Sequence, residues 1–161
     1  MMVSKKAQGW GFDLIVGLAI FIAGILTFYL LSLNTYNETS DTIKSLSYEG
    51  QIVSDNILSD GSPENWNNSN VIRIGIMSDN KINETKLAQF YSLSKTNYAL
   101  TKSLFNTNNE YYFFLSDPMV INGSTTIGIG KQNVNESNLI KITRYTIYKD
   151  KPVTANLYIW N

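Results

Sequence analysis

The feature that most constrains this chain is an uncharged apolar run from Leu14 to Leu33, close to the N-terminus. About 20 residues of α-helix span roughly 30 Å, which matches the hydrocarbon core of a bilayer. A secretory signal has a shorter apolar stretch, of about 7–15 residues, followed by a small-residue cleavage site. Here the residues after the run, Ser32–Tyr36, contain no Ala-x-Ala pattern. We therefore expect the run to stay on the protein as a transmembrane helix.

The charges around the run predict its orientation. Lys5 and Lys6 precede it, and no basic residue immediately follows it. The positive-inside rule then places the N-terminus in the cytoplasm and the remainder outside. The one processing-like tetrapeptide, Lys5-Lys6-Ala7-Gln8, lies before the apolar run. A cut there would remove a short basic leader and leave the helix on the mature chain.

This arrangement resembles the class III leader of archaeal type IV pilins and archaeal flagellins. The resemblance implies a prepilin peptidase as a partner, which would cut between Ala7 and Gln8. A cut after Gln8 is the alternative, because it would make Asp13 the fifth mature residue, where the family commonly has an acid. A general similarity to small archaeal pilin-like proteins covers five later tracts: Gly61–Trp66, Val71–Gly75, Lys81–Leu87, Tyr98–Lys102 and Leu157–Trp160.

The resemblance also implies a function. The helix would be held in the cell membrane and would then pack with copies of itself or with related pilins in an extracellular surface filament. The head would serve adhesion or surface contact, and both a major and a minor pilin fit the sequence. The alternative is an unprocessed single-span membrane protein with an extracellular receptor or sensor domain.

Length and periodicity predict the domain organisation. We expect a leader at 1–7, a long helix at 8–60 with its transmembrane part at 14–33, and a globular head at 61–161. Runs of helix followed by runs of strand indicate an α+β fold, in which the long N-terminal helix packs on a head with an antiparallel β-sheet. The helix emerges from the membrane as an amphipathic segment, with Asn34–Asn37 as a place where it could break.

Individual elements follow from local signals. The buried stripe of the amphipathic segment is expected at Ile43, Leu46, Val53 and Ile57, with Gly61 as C-cap. Helices are expected at Glu84–Ser94, capped by Asn83, and at Tyr98–Phe105. Strands are expected at Val71–Ile76, Tyr111–Leu115, Thr125–Ile129, Leu139–Tyr148 and Val153–Trp160, with a turn at Lys149–Pro152. Trp66 and Trp160 are expected to be core and sheet residues.

Composition argues against several function classes. The chain has no histidine and no cysteine, which removes the commonest general base and the commonest zinc ligands. We therefore expect no enzyme activity, no metal and no cofactor. The formal net charge is +0, without a basic patch, so nucleic acid is not an expected partner.

Five residues of the apolar helix are candidates for subunit assembly. A carboxylate such as Asp13, at the edge of hydrocarbon, is costly unless it is paired or solvated. The resemblance implies that it meets the amino terminus of a neighbouring subunit; the other interpretation is an acid at headgroup level, favoured by the helix dipole. Gly17 and Gly24 are seven residues apart, and Ala19 and Ala23 are four apart. Such spacing permits close helix approach, although small residues are also ordinary in membrane helices.

Asparagine is frequent and creates five Asn-x-Ser/Thr sequons. They lie at Asn37, Asn67, Asn83, Asn122 and Asn135. An exterior surface with separated loop sites suits N-glycosylation, and an Asn-rich chain also produces such triplets by chance.

Overall fold

The chain has an α+β fold, in which a long N-terminal helix is followed by a region of helices and antiparallel sheets; its described residues form three sheets and two further helices. The computed structural model describes residues 6–132 and 138–161, and for residues 6–10 and 34–39 it describes the backbone alone. The chain divides into two compact units, one that ends at Thr42 and one from Ile43 to Asn161. The second unit, which we call the head unit, contains all the described strands and is built around a single hydrophobic core.

Helix α1 spans Lys6–Ile57. No proline interrupts this range, and an α-helix satisfies its backbone groups internally, as a bilayer requires. From Leu46 onward the predicted stripe is buried, with Leu46 1% exposed and Ile57 0% exposed. Ile43 was expected in this stripe, but it is 41% exposed, because it lies one turn before the first buried residue.

At Gly50, α1 packs closely against the sheet. A Cβ atom at this position would lie 2.7 Å from Ile142 Cδ1 and 2.8 Å from Ile159 Cγ2. Glycine in a helix interior costs about 1 kcal/mol relative to alanine. Here the missing side chain makes room for two branched residues of the sheet, so close packing compensates for the lower helix propensity.

The main sheet has four antiparallel strands, in the order β6-β3-β8-β7. Its members are β3 (Glu110–Leu115), β6 (Ile129–Gly130), β7 (Leu139–Tyr148) and β8 (Lys151–Trp160). Two small hairpins complete the strands: β1 (Met77–Ser78) with β2 (Lys81–Ile82), and β4 (Met119–Ile121) with β5 (Ser124–Thr126). Helices α2 (Glu84–Thr96) and α3 (Tyr98–Leu104) lie between β2 and β3 in the chain.

The β7–β8 hairpin confirms the strongest local prediction. Its two turn residues, Lys149 and Asp150, have φ values of 52° and 60°. Positive φ at both central positions is typical of the type I′ turn, whose twist matches that of paired strands. The turn is shorter than predicted, since Lys151 and Pro152 already belong to β8.

Two predicted strands are wrong. Val71–Ile76 forms no strand apart from an isolated bridge between Arg73 and Ser62, because its backbone bonds to the last residue of α1 and to the loop that follows it. Ile76 N–H donates to the Ile57 carbonyl at 2.8 Å, and Met77 N–H donates to the Ser59 carbonyl at 2.9 Å. Thr125–Ile129 splits between β5 and β6, which belong to different sheets.

The predicted C-cap at Gly61 is also wrong, because α1 ends at Ile57. Gly61 has a φ of 77° and lies against the ring of Trp66 and the carbonyl oxygen of Arg73, with which a Cβ atom would collide. The Trp66 indole N–H donates to the Gly75 carbonyl at 2.7 Å. Trp66 is therefore a core residue, as predicted, and it holds the loop after α1 in place.

The core contains an aromatic cluster between α2, α3 and β3. Phe90 packs edge-on against Phe105 at 5.8 Å between ring centroids and stacks with Tyr111 at 6.3 Å. Tyr111 also contacts Tyr98 and donates or accepts a 2.6 Å hydrogen bond with the Thr101 hydroxyl. Burial raises the pKa of Tyr111 to about 12.

One charged residue is buried beside this core. Lys86 of α2 is 6% exposed, and its Nζ donates to the backbone carbonyls of Asp60, at 2.9 Å, and Met77, at 2.7 Å. The Asp60 carbonyl lies in the loop that follows α1, and the Met77 carbonyl lies at the start of β1. The ammonium group therefore joins α2 to the loop that follows α1.

Candidate functional sites

The apolar segment of α1 is the first candidate site. Residues Gly11–Leu33 are long and apolar enough to cross a membrane, on the criteria of length and composition. Their side chains are exposed throughout, including large ones such as Phe21, Phe28 and Leu30. An exposed apolar surface of this kind marks a membrane or protein contact.

The assembly candidates occupy two faces of this segment. At 100° per residue, Asp13, Gly17 and Gly24 share one face, while Ala19 and Ala23 lie on another. A Cβ atom added at Gly17 or Gly24 would meet nothing within 4 Å in the described part of the chain. Within the described residues, Gly17 and Gly24 therefore pack against no other part of the chain, in contrast to Gly50.

The expected leader lies largely outside the described part of the chain. Lys5 is outside it altogether. Lys6, Ala7 and Gln8 belong to the first turns of α1 by their backbone, and their side chains are not among those described.

The asparagine side chains of the sequons differ in their exposure and in their hydrogen bonds. Asn67 is exposed, and its Oδ1 accepts a 2.8 Å hydrogen bond from Ser69 N–H within the same sequon. Asn122 is exposed in the β4–β5 turn, where it has a φ of 51°. Both side chains are open to a modifying enzyme.

Asn83 is in a different state, because it is the N-cap of α2, as predicted. Its Oδ1 accepts from Thr85 N–H at 2.9 Å and from Lys86 N–H at 3.1 Å. Its Nδ2, the atom that would carry a sugar, points to the Ser78 hydroxyl at 3.4 Å. The side chain of Asn37 and the whole of Asn135 lie outside the described residues.

A polar cleft in the head unit was not predicted from the sequence. It has a volume of about 630 Å³ and lies between α3 and the start of β3, with Lys131 at its edge. Lys102 Nζ donates to Glu110 Oε1 at 3.0 Å, and Lys131 Nζ lies 3.8 Å from Glu110 Oε2. Glu110 Oε2 has no hydrogen-bond partner among the described residues.

Electrostatics in this polar cleft favour the ionised carboxylate. Burial by itself would raise the pKa of Glu110, but the Lys102 ammonium, the nearby Tyr98 hydroxyl and the charge of Lys131 hold that pKa below its usual value. Burial raises the pKa of Tyr98 well above its usual value. The cleft thus contains two ammonium groups and one carboxylate at neutral pH.

Comparisons with known proteins identify no relative: no family model, no curated protein and no solved structure matches this chain. Within residues 6–132 and 138–161, no three metal-ligating side chains of the His, Cys, Asp and Glu types come together.

Proposed function

We propose that the chain is a type IV pilin-like structural subunit of an archaeal surface filament. The observation that carries the proposal is the apolar segment Gly11–Leu33, which is helical, exposed along its length and followed by a folded head unit. A membrane can cover such a surface, and so can the same segment from other copies. The basic residues before this segment and the leader-like tetrapeptide support its packing with other copies as well as its insertion in a membrane.

The two faces of small residues on α1 indicate how the helices of neighbouring subunits would pack. Glycine and alanine let helix backbones approach closely where lipid provides no hydrophobic driving force. One face of small residues allows close packing against one neighbouring helix. Two such faces allow close packing in a bundle, where each helix has several neighbours. Asp13, on the face of Gly17 and Gly24, would pair with the amino terminus of a processed neighbour.

The same proposal implies an orientation of the chain in the membrane and glycosylation of its head unit. The N-terminus would face the cytoplasm and the head unit would face outward, where it serves adhesion or surface contact. Of the described sequons, Asn67 and Asn122 suit glycosylation. Asn83 does not, because its carboxamide caps α2.

Assembly can be tested with substitutions that leave the monomer intact. Asp13→Ala removes a charge from the edge of the apolar run, so membrane insertion should be unharmed or improved. Gly24→Leu adds bulk where the described chain has no atom within 4 Å. Both variants should remain in the membrane fraction and yield few shearable filaments.

The matched control is Ile22→Phe, which adds bulk on the opposite side of the helix from Gly24 and should assemble normally. Cell fractionation, followed by comparison of membrane-held with sheared protein, measures each outcome. Normal filament yield from both Asp13→Ala and Gly24→Leu would contradict assembly through this face. Membrane protein without any filament in the native host would favour the single-span receptor or sensor instead.

A further inference from the structure

The polar cleft of the head unit contains more hydrogen-bond donors than the described residues use. Among the described residues, Lys102 contributes one donor to Glu110, and Lys131 makes a long ion pair with the same carboxylate. A lysine ammonium has three donors, so two ammonium groups share a single acid and retain spare donors. The local charge is one unit positive, in a chain whose formal net charge is +0.

Three other lining residues are polar and accessible. Ser103, Asn106 and Asn108 are exposed, and they supply hydroxyl and amide groups that both donate and accept hydrogen bonds. The volume of about 630 Å³ lies within the range of small-molecule sites and exceeds the needs of a simple anion. Tyr98 and Ala99 add apolar surface to the same lining.

We propose that this polar cleft binds an acidic saccharide. Its carboxylate would pair with Lys131 and with the free donors of Lys102. Its ring hydroxyls would exchange hydrogen bonds with Ser103, Asn106 and Asn108. The site lies wholly within the head unit, so the proposal is independent of filament assembly.

Glu110 is the positioning residue of this site. Its Oε1 orients the Lys102 ammonium, while Oε2 lies near Lys131 without a hydrogen bond. Lys131 is 53% exposed and long, so its ammonium can turn from Glu110 toward a ligand.

The test uses the full chain in detergent, titrated with D-glucuronate and followed by ¹H–¹⁵N NMR shifts. D-glucose tests the need for a carboxylate, and acetate tests the need for hydroxyls. Glucuronate should bind with a millimolar dissociation constant, at least about tenfold tighter than either control. Lys131→Gln should weaken it by about tenfold, and Ala99→Trp should block it sterically without a change in charge.

Lys95→Gln is the control, because Lys95 is an exposed lysine of α2 that does not line the cleft. It should leave glucuronate binding unchanged. Equal binding of glucose or acetate would overturn the acidic-saccharide assignment. Binding that survives both Lys131→Gln and Ala99→Trp, or no binding by the folded wild-type chain, would overturn the site.

Discussion

Leu46→Ala tests whether the last part of α1 belongs to the head core. Leu46 is 1% exposed, so its side chain is almost fully removed from water. The substitution deletes three carbon groups, worth about 2.5 kcal/mol at about 0.8 kcal/mol each. Incomplete collapse of the resulting cavity adds a further cost, and buried leucines typically lose about 2–5 kcal/mol in this change. We expect a loss of about 3–4 kcal/mol in the free energy of unfolding.

The assay is urea unfolding of a soluble fragment, residues 34–161, which we expect to fold without lipid. The transition midpoint should fall while the slope stays the same, because the surface exposed on unfolding changes little. Ile43→Ala is the matched control: Ile43 is 41% exposed on the same helix and should cost less than about 1 kcal/mol. Equal and small losses for both variants would refute the packing of this part of α1 on the sheet.

Three further predictions follow from the head unit. Lys86→Met should lower the free energy of unfolding, measured in urea, by about 2–4 kcal/mol, because two backbone carbonyls lose a charged donor. An unchanged free energy of unfolding would show that the buried ammonium group does not stabilise the fold. Peptide masses from the native host should show glycan on Asn67 and Asn122 and no glycan on Asn83. Glycan on Asn83 alone would contradict this assignment of the glycosylated sequons. The folded-state pKa of Glu110 is lowered, so its stabilisation is present above the unfolded-state pKa and is lost as the pH falls through the folded-state value. The difference in the free energy of unfolding between the wild type and Glu110→Gln should therefore become smaller below about pH 4.5. A difference that does not depend on pH would contradict this.

The parts of the fold that the sequence predicted are those with local signals. Asn83 before Glu84 predicted the start of α2, because a short polar side chain bonds the free N–H groups of the first turn. Two strand-like segments joined by the short turn at Lys149–Pro152 predicted the pairing of β7 with β8. The α+β class followed from the order of these elements.

The parts that were missed depend on contacts between distant segments. Val71–Ile76 has the composition of a strand, yet its hydrogen bonds go to the residues after α1. Gly128 separates β5 from β6, and a Cβ atom there would collide with the ring of Tyr112. No periodicity within the segment encodes such a contact.

The polar cleft was missed for the same reason. Lys102, Glu110 and Lys131 come from α3, β3 and the residue after β6, and nothing in their spacing marks them as neighbours. Asp13 was identified as a carboxylate at the edge of the apolar run, and the small residues of α1 were identified by their helical spacing. The assembly role proposed for them depends on other copies of the chain and so remains a prediction.

The most direct test of the central proposal is the N-terminal residue of the protein in filaments sheared from the native host. A pilin-like subunit cut between Ala7 and Gln8 would begin with Gln8, and Ala7→Leu or Lys6→Glu would leave the leader attached and the filaments absent. N-terminal sequencing and intact mass distinguish this from a cut one residue later. A native protein that begins at Met1 or Met2 and stays in the membrane would contradict the account and favour a single-span receptor or sensor.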